Sequence, residues 1–280
     1  MVDARALSQT RRGASASALG TAGRLWRYKW IQRGVVWGII VVAWQTFGLI
    51  RGPFYFPTFT DTILGFVRLV VEGDLIVMAA SLQQLLVGFA LAVVIGIPVG
   101  LILGGSRSGE AVLGHYINAW YVTSKEALLP LMIILLGVGF EYRVGIVFAF
   151  SALYVIVNVA TGMRDVSPSL IETARSFGAS RRQVIVKIAL PSVVPFMFAG
   201  IRLGYGFAIK GMVIAELWVL GGTGGLLADL ALQRELDRYF AIALIIALVG
   251  VAGSSIIRTL ERHITPWGAG AMRTTERRAV

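Results

Sequence analysis

The sequence predicts an all-α integral membrane protein that crosses the bilayer six times, and three observations predict it. Of its 280 residues 56% are hydrophobic and only 15% charged, with a mean hydropathy of +0.76. So few charges cannot cover the surface of a soluble domain. Apolar runs of about 18 residues or more, long enough to span a hydrocarbon core as a helix, recur along the chain. The 26 Lys and Arg residues are unevenly spread: 18 fall in segments on one side of the six-span map, five on the other and three within spans. The positive-inside rule then places both termini in the cytoplasm and makes the net charge of +11 a matter of topology rather than of a nucleic-acid partner. The absence of cysteine excludes disulfides and thiolate metal sites.

Residues 1–33 are polar, rich in Ala, Ser, Gly and Arg, and read as a disordered basic tail whose end (Arg24, Arg27, Lys29, Arg33) suits the lipid surface. No cleavable leader is expected, because the first apolar run begins only near Gly34. The membrane domain is expected over 34–260 and a second tail over 261–280. Gly34 to Ile50 is the first span. Arg51 to Ser81 lies outside, with an interfacial helix at Thr60 to Val71 that turns Ile63, Phe66, Val67 and Val70 to the membrane.

Leu82 to Leu103 is the second span. Its Gly88, Ala92, Gly96, Gly100 and Gly104 form a smooth face at four-residue spacing, which either lets another helix approach closely or is chance in a glycine-rich chain. Ala111 to Phe140 reads as one irregular crossing, with Lys125, Glu126 and Pro130 in a polar middle expected to face other protein. Val144 to Thr161, Pro191 to Val219 and Tyr239 to Ile257 complete the six, and the basic residues from Arg258 onward read as tail.

Between the fourth and fifth spans lies a polar, basic island, Ser167 to Pro191. Ser169 and Glu172 have capping-box spacing, with Pro168 suited to a first turn. Leu170, Ala174 and Phe177 share a face, with Ile171 beside them, and Gly178 is placed to end the helix in the left-handed conformation. Ser180 and Gln183 make a second box ahead of Val184, Ile185 and Ile188, and Pro191 is expected to break the chain. Taken alone, these residues describe either a solvated loop with two helical turns or a docking surface.

No arrangement of Ser, His or paired carboxylates argues for catalysis. His115 and His263 lack metal-ligand partners, and Gly204, Gly206 and Lys210 do not fit a phosphate-binding loop. Arg202, Lys210 and Glu216 lie inside the fifth span, where charge is costly unless it is paired or faces a cavity. Arg202 and Glu216 are too far apart to pair with each other. Two roles stay open for the three: structural pairing elsewhere, or lining a pathway. Lys210 lies nearer mid-membrane and is the better candidate to meet a substrate.

Glu172, Ala174, Gly178, Ile188, Leu190 and Pro191 resemble the E-A-A-x3-G-x9-I-x-L-P loop of ABC importer permeases, with Thr173 in place of the second Ala. Ser81-Leu82, Gly88-Phe89, Leu129-Pro130-Leu131, Gly137-Val138-Gly139, Gly200-Ile201-Arg202, Ala215-Glu216 and Leu260-Glu261-Arg262 to Trp267 extend the resemblance, which is greatest to the nitrate, sulfonate and taurine branch. Gly224-Gly225-Leu226 and Lys125-Glu126 depart from the pattern. The resemblance implies a type I permease fold in a bacterial inner membrane and a coupling loop over 167–191 that docks on a separate ATPase holding ATP and Mg. It also implies a soluble binding protein outside and a second permease copy across the pathway. Within the fifth span it implies an anionic substrate at Lys210 and, because Arg202 is a position the family pattern shares, a structural anchor at Arg202. A secondary transporter driven by an ion gradient is the alternative, with Glu126 and Glu216 as its only intramembrane carboxylates. A DNA-binding reading of Arg181 and Arg182 fails because the flanking spans leave no room for a duplex.

Overall fold

The computed structural model describes residues 29–265, and every regular element among them is helical. Most of both expected tails, with Trp267, lies outside the described residues. Helix α1 (Lys29–Arg51) leads to α2 (Phe59–Glu72), α3 (Asp74–Gly105) and α4 (Arg107–Val122). A 3-10 turn (Glu126–Leu128), α5 (Leu129–Leu136) and α6 (Phe140–Arg164) follow. Then come α7 (Pro168–Ser176), α8 (Arg181–Val184) with a π-type turn (Ile185–Ala189), α9 (Leu190–Trp218), α10 (Gly222–Gln233) and α11 (Leu236–Ile264).

Among the described residues five helices are long and apolar enough to cross a membrane: Ile31–Arg51, Asp74–Gly105, Phe140–Arg164, Arg181–Trp218 and Leu236–Ile264. The pair Ser108–Val122 and Glu126–Leu136 supplies a sixth if taken as one span, although its halves meet at 93°. The segment expected as a single irregular crossing is thus turned through a right angle. The Thr123 hydroxyl donates to Ala119 O at 2.8 Å to close α4, and Pro130, which has no N–H to give, sits in the first turn of α5. The polar middle is not covered by the rest of the chain: Ser124 and Glu126 are exposed and Lys125 is half-buried.

Helix α6 is the hub. Val147, Ala152, Leu153, Val155 and Val159 are fully buried between α3 and α9. The small-residue face of α3 is what admits it: a Cβ on Gly88 would fall 2.7 Å from Val147 Cβ, and one on Gly100 2.7 Å from Val159 Cβ. Lipid chains are as apolar as these side chains, so close van der Waals packing, rather than a hydrophobic drive, holds helices together at membrane depth.

The α2–α3 corner is locked by charge. Gly73 turns the chain at φ +83°, and Arg238 at the start of α11 contacts Glu72 at 2.7 Å, Glu235 at 2.8 Å and Asp74. That knot explains why α3 begins at Asp74, eight residues ahead of the expected span. The four exposed residues expected on the outer face of α2, Ile63, Phe66, Val67 and Val70, do share one side, opposite buried Thr62, Gly65 and Leu69. At the other end, α11 carries Arg258 to Ile264 as helix rather than tail.

Candidate coupling loop and translocation face

The island at 167–191 folds as two short helices. Helix α7 begins at Pro168, so Ser169 falls inside the first turn and cannot cap it. The Ser169–Glu172 box does not form, and the Ser167 and Ser169 hydroxyls lie 2.8 Å apart instead. Gly178 ends the helix at φ +79°, with its N–H on Arg175 O at 2.9 Å and Ala179 N–H on Ala174 O at 3.0 Å. These two bonds are the Schellman arrangement, which places a left-handed residue just past the helix end. The second capping box is present: Ser180 N–H donates to Gln183 Oε1 at 2.8 Å, and Gln183 N–H to Ser180 Oγ at 3.4 Å.

Pro191 does not break the chain. The π-type turn, in which Leu190 N–H reaches back to Ile185 O, reroutes the backbone bonds just ahead of the proline, and helix continues from Arg181 to Trp218. Ile188 and Pro191 are therefore half-buried at the root of α9, with Leu190 beside them at the surface.

The loop's apolar residues divide by direction. Ile171 and Ile188 pack inward against Val155, Val159 and Val193. Leu170 and Phe177 point away, with Phe177 88% exposed, and Ile185 and Val186 are exposed on the neighbouring turn. Glu172 is exposed and Ala174 half-buried, so the motif residues border this apolar tip.

The three charges of the fifth span have three different surroundings. Arg202 donates from Nη1 to Glu261 on α11 at 3.1 Å. Glu216 is completely enclosed: Oε2 accepts from Gly224 N–H at 2.9 Å, and the carboxylate fills the space where a side chain on Gly222 would be. Thr223 N–H beside it donates to Ser81 at 3.0 Å. Glu216 thus secures the turn into α10, and in this conformation it lines no open surface. A Cβ on Gly224 would meet Val213 O at 2.6 Å, and one on Gly225 would strike Leu220, so the Gly224-Gly225 departure serves close helix packing.

Lys210 alone of the three is exposed and, among the described residues, without an acid, its Nζ 4.7 Å from the centre of the Phe207 ring. His115 lines a cleft of about 290 Å³ with Glu110, Asn118 and Thr161, beside the Arg164–Glu110 pair at 2.9 Å. No group of three His, Asp or Glu able to hold a metal occurs among the described residues.

Residues 96–266, which hold the loop, the turn at Glu216, Lys125 and Lys210, match the binding-protein-dependent transport system inner membrane components. The chain belongs to this family. It is 30% identical over 191 residues to the taurine transport system permease protein of Escherichia coli, covering 68% of this chain and 70% of that one. It is 28% identical over 229 residues to the nitrate import permease protein of Synechocystis, covering 81% and 79%. A Bacillus subtilis permease protein ascribed to aliphatic sulfonates transport is 29% identical over 245 residues, covering 86% and 89%. A chain from a crystal structure of an amino acid ABC transporter with histidines superposes with a TM-score of 0.53 over 70% of this chain and 95% of its own. At 19% identity that likeness speaks for the fold alone.

Proposed function

We propose that this permease subunit forms half of the translocation pathway of an ATP-driven importer for a small anion, sulfonate-, taurine-, nitrate- or bicarbonate-like. Its relatives carry substrates of that kind. The excess of Lys and Arg in the segments on one side argues for cytoplasmic termini. A second copy completes the pathway, an extracytoplasmic binding protein delivers the solute, and surrounding lipid covers the apolar outer faces. ATP and Mg belong to the partner ATPase, and this subunit has no catalytic role of its own.

The observation that carries the coupling part is the direction of the loop's apolar side chains. A loop anchored inward by Ile171 and Ile188 yet holding Phe177 88% exposed has a rigid base and an uncovered apolar tip, the form of a surface that meets another protein. Closure of the ATPase pair on nucleotide would move that tip, and the anchor would pass the movement to α6 and α9. The ion-gradient alternative has no support: Glu216 is wholly buried with Oε2 held by Gly224 N–H, and Glu126 accepts from Ser124 at 2.8 Å on the open bend.

The test is reconstitution. The detergent-purified chain alone should hydrolyse no ATP, and co-expressed ATPase should co-purify with it and give hydrolysis stimulated by the loaded binding protein. Hydrolysis by the isolated chain, or uptake driven by an ion gradient without ATP, sinks the reading. Because the chain has no cysteine, single Ser167→Cys and Tyr55→Cys variants, both at exposed positions, report sidedness directly by labelling with a membrane-impermeant thiol reagent.

A further inference from the structure

Two lysines at membrane depth are left without an acid. Lys210 lies about 12 Å from the end of α9, well inside a hydrocarbon core about 30 Å thick, and Lys125 lies at the 93° bend between α4 and α5. Three arginines of the packed helices do find acids: Arg202 pairs with Glu261, Arg164 with Glu110, and Arg238 with three acids. Among the described residues neither Lys125 nor Lys210 makes an ion pair.

Both instead address one aromatic pair. Tyr154 of α6 and Phe207 of α9 stack at 3.6 Å and 12°. Lys210 Nζ stands 4.7 Å from the centre of Phe207, and Lys125 Nζ 5.7 Å from that of Tyr154. Each ring has one face taken by the stack, so each ammonium occupies the free one, giving a column Lys125–Tyr154–Phe207–Lys210. A cation over each outer face uses the negative side of the rings, so the positive ring edges and the ammoniums are what the column offers an anion. Glu126 neighbours Lys125 but is engaged by Ser124, and the column stays net positive even when it is counted.

An exposed ammonium at this depth is disfavoured against lipid, so the face that bears Lys210 meets water or another subunit. We propose that Lys125, Tyr154, Phe207 and Lys210 form a two-station site for a small monoanion on the translocation face. The stacked rings hold the stations apart, farther than one nitrate or sulfonate group is wide, so an anion passes from one ammonium to the other along the ring edges. This inference rests on the importer reading above and goes beyond it by naming the residues that select charge.

The experiment uses the complete complex, with ATPase and binding protein, in proteoliposomes, and follows uptake of ethanesulfonate, nitrate and bicarbonate. Lys125→Gln and Lys210→Gln should each lower uptake by about tenfold or more, since a local charge sets the anion's concentration at the site. Lys125→Arg and Lys210→Arg should keep most of it, and assembly of the complex and probe affinity of the free binding protein should not change. Wild-type uptake of none of the three anions overturns the substrate class and this site with it. Normal uptake by both Gln variants overturns the site alone. Equal losses in the Gln and Arg variants overturn it too, because they assign the lysines to packing.

Discussion

Arg202 on α9 donates to Glu261 on α11 across 3.1 Å, joining residues 59 positions apart in sequence. Arginine cannot shed its proton, so within a span it needs a standing partner. The pair is only part-buried, with the Arg202 side chain 39% exposed, so solvent discounts its strength. Arg202→Met and Glu261→Gln should each reduce the yield of assembled complex. The double variant should be little worse than either, with a coupling on the order of 1 kcal/mol in a thermal double-mutant cycle. Strictly additive losses would show that the contact contributes nothing.

Glu216 gives a sharper case because it is wholly buried. Removing its carboxylate by Glu216→Ala strands the Gly224 N–H and opens a space beside Gly222, at a cost of about 1–3 kcal/mol for the lost bond. Glu216→Gln keeps an acceptor oxygen in place and should be milder. Thermal unfolding of the detergent-solubilised subunit should rank wild type above Gln above Ala, and equal midpoints for all three would separate Glu216 from the fold of the turn.

How far these features could be read from sequence depends on how local they are. The small face of α3 and the Ser180–Gln183 box are set by spacings of three and four residues, and both exist as expected. Gly178 is legible for the same reason. The Ser169 box failed because Pro168 competes for the same turn and starts the helix first. Long-range partners leave no local trace: nothing around Glu216 points to Gly224 N–H, and nothing around Lys125 points to the ring stacked on Phe207. The bend at Thr123–Lys125 was hidden too, since composition records how apolar a segment is and not its direction.

Phe177 carries the next prediction. At 88% exposure it adds nothing to this subunit's packing, so Phe177→Ala should leave yield and thermal stability of the isolated permease within about 0.5 kcal/mol, as for an ordinary surface substitution. Buried in a partner it would be an aromatic anchor, whose truncation costs about 2 kcal/mol or more. Co-purification of the ATPase should therefore drop sharply while membrane insertion is normal. Undiminished co-purification would remove Phe177 from the interface.

Gly178 tests the geometry of the loop rather than its contacts. A Cβ built there meets nothing within 4 Å, so a side chain is not sterically excluded by neighbours. The obstacle is the backbone: φ is +79°, a conformation that costs a residue with a side chain about 1–2 kcal/mol and a β-branched one most. Gly178→Val should keep insertion and yield but release the turn between α7 and α8, so that the Phe177 tip is no longer held at a fixed angle to the Ile171 and Ile188 anchor. ATP hydrolysis would then persist without uptake, or the ATPase would be lost. Gly178→Asn supplies the control, because asparagine tolerates the left-handed region and should retain most uptake. Both variants are of similar size in open space, so a loss confined to Val identifies conformation as the cause. Equal losses in Val and Asn would instead mean that the partner requires glycine itself at that point, and wild-type uptake by both would show that coupling does not depend on this turn.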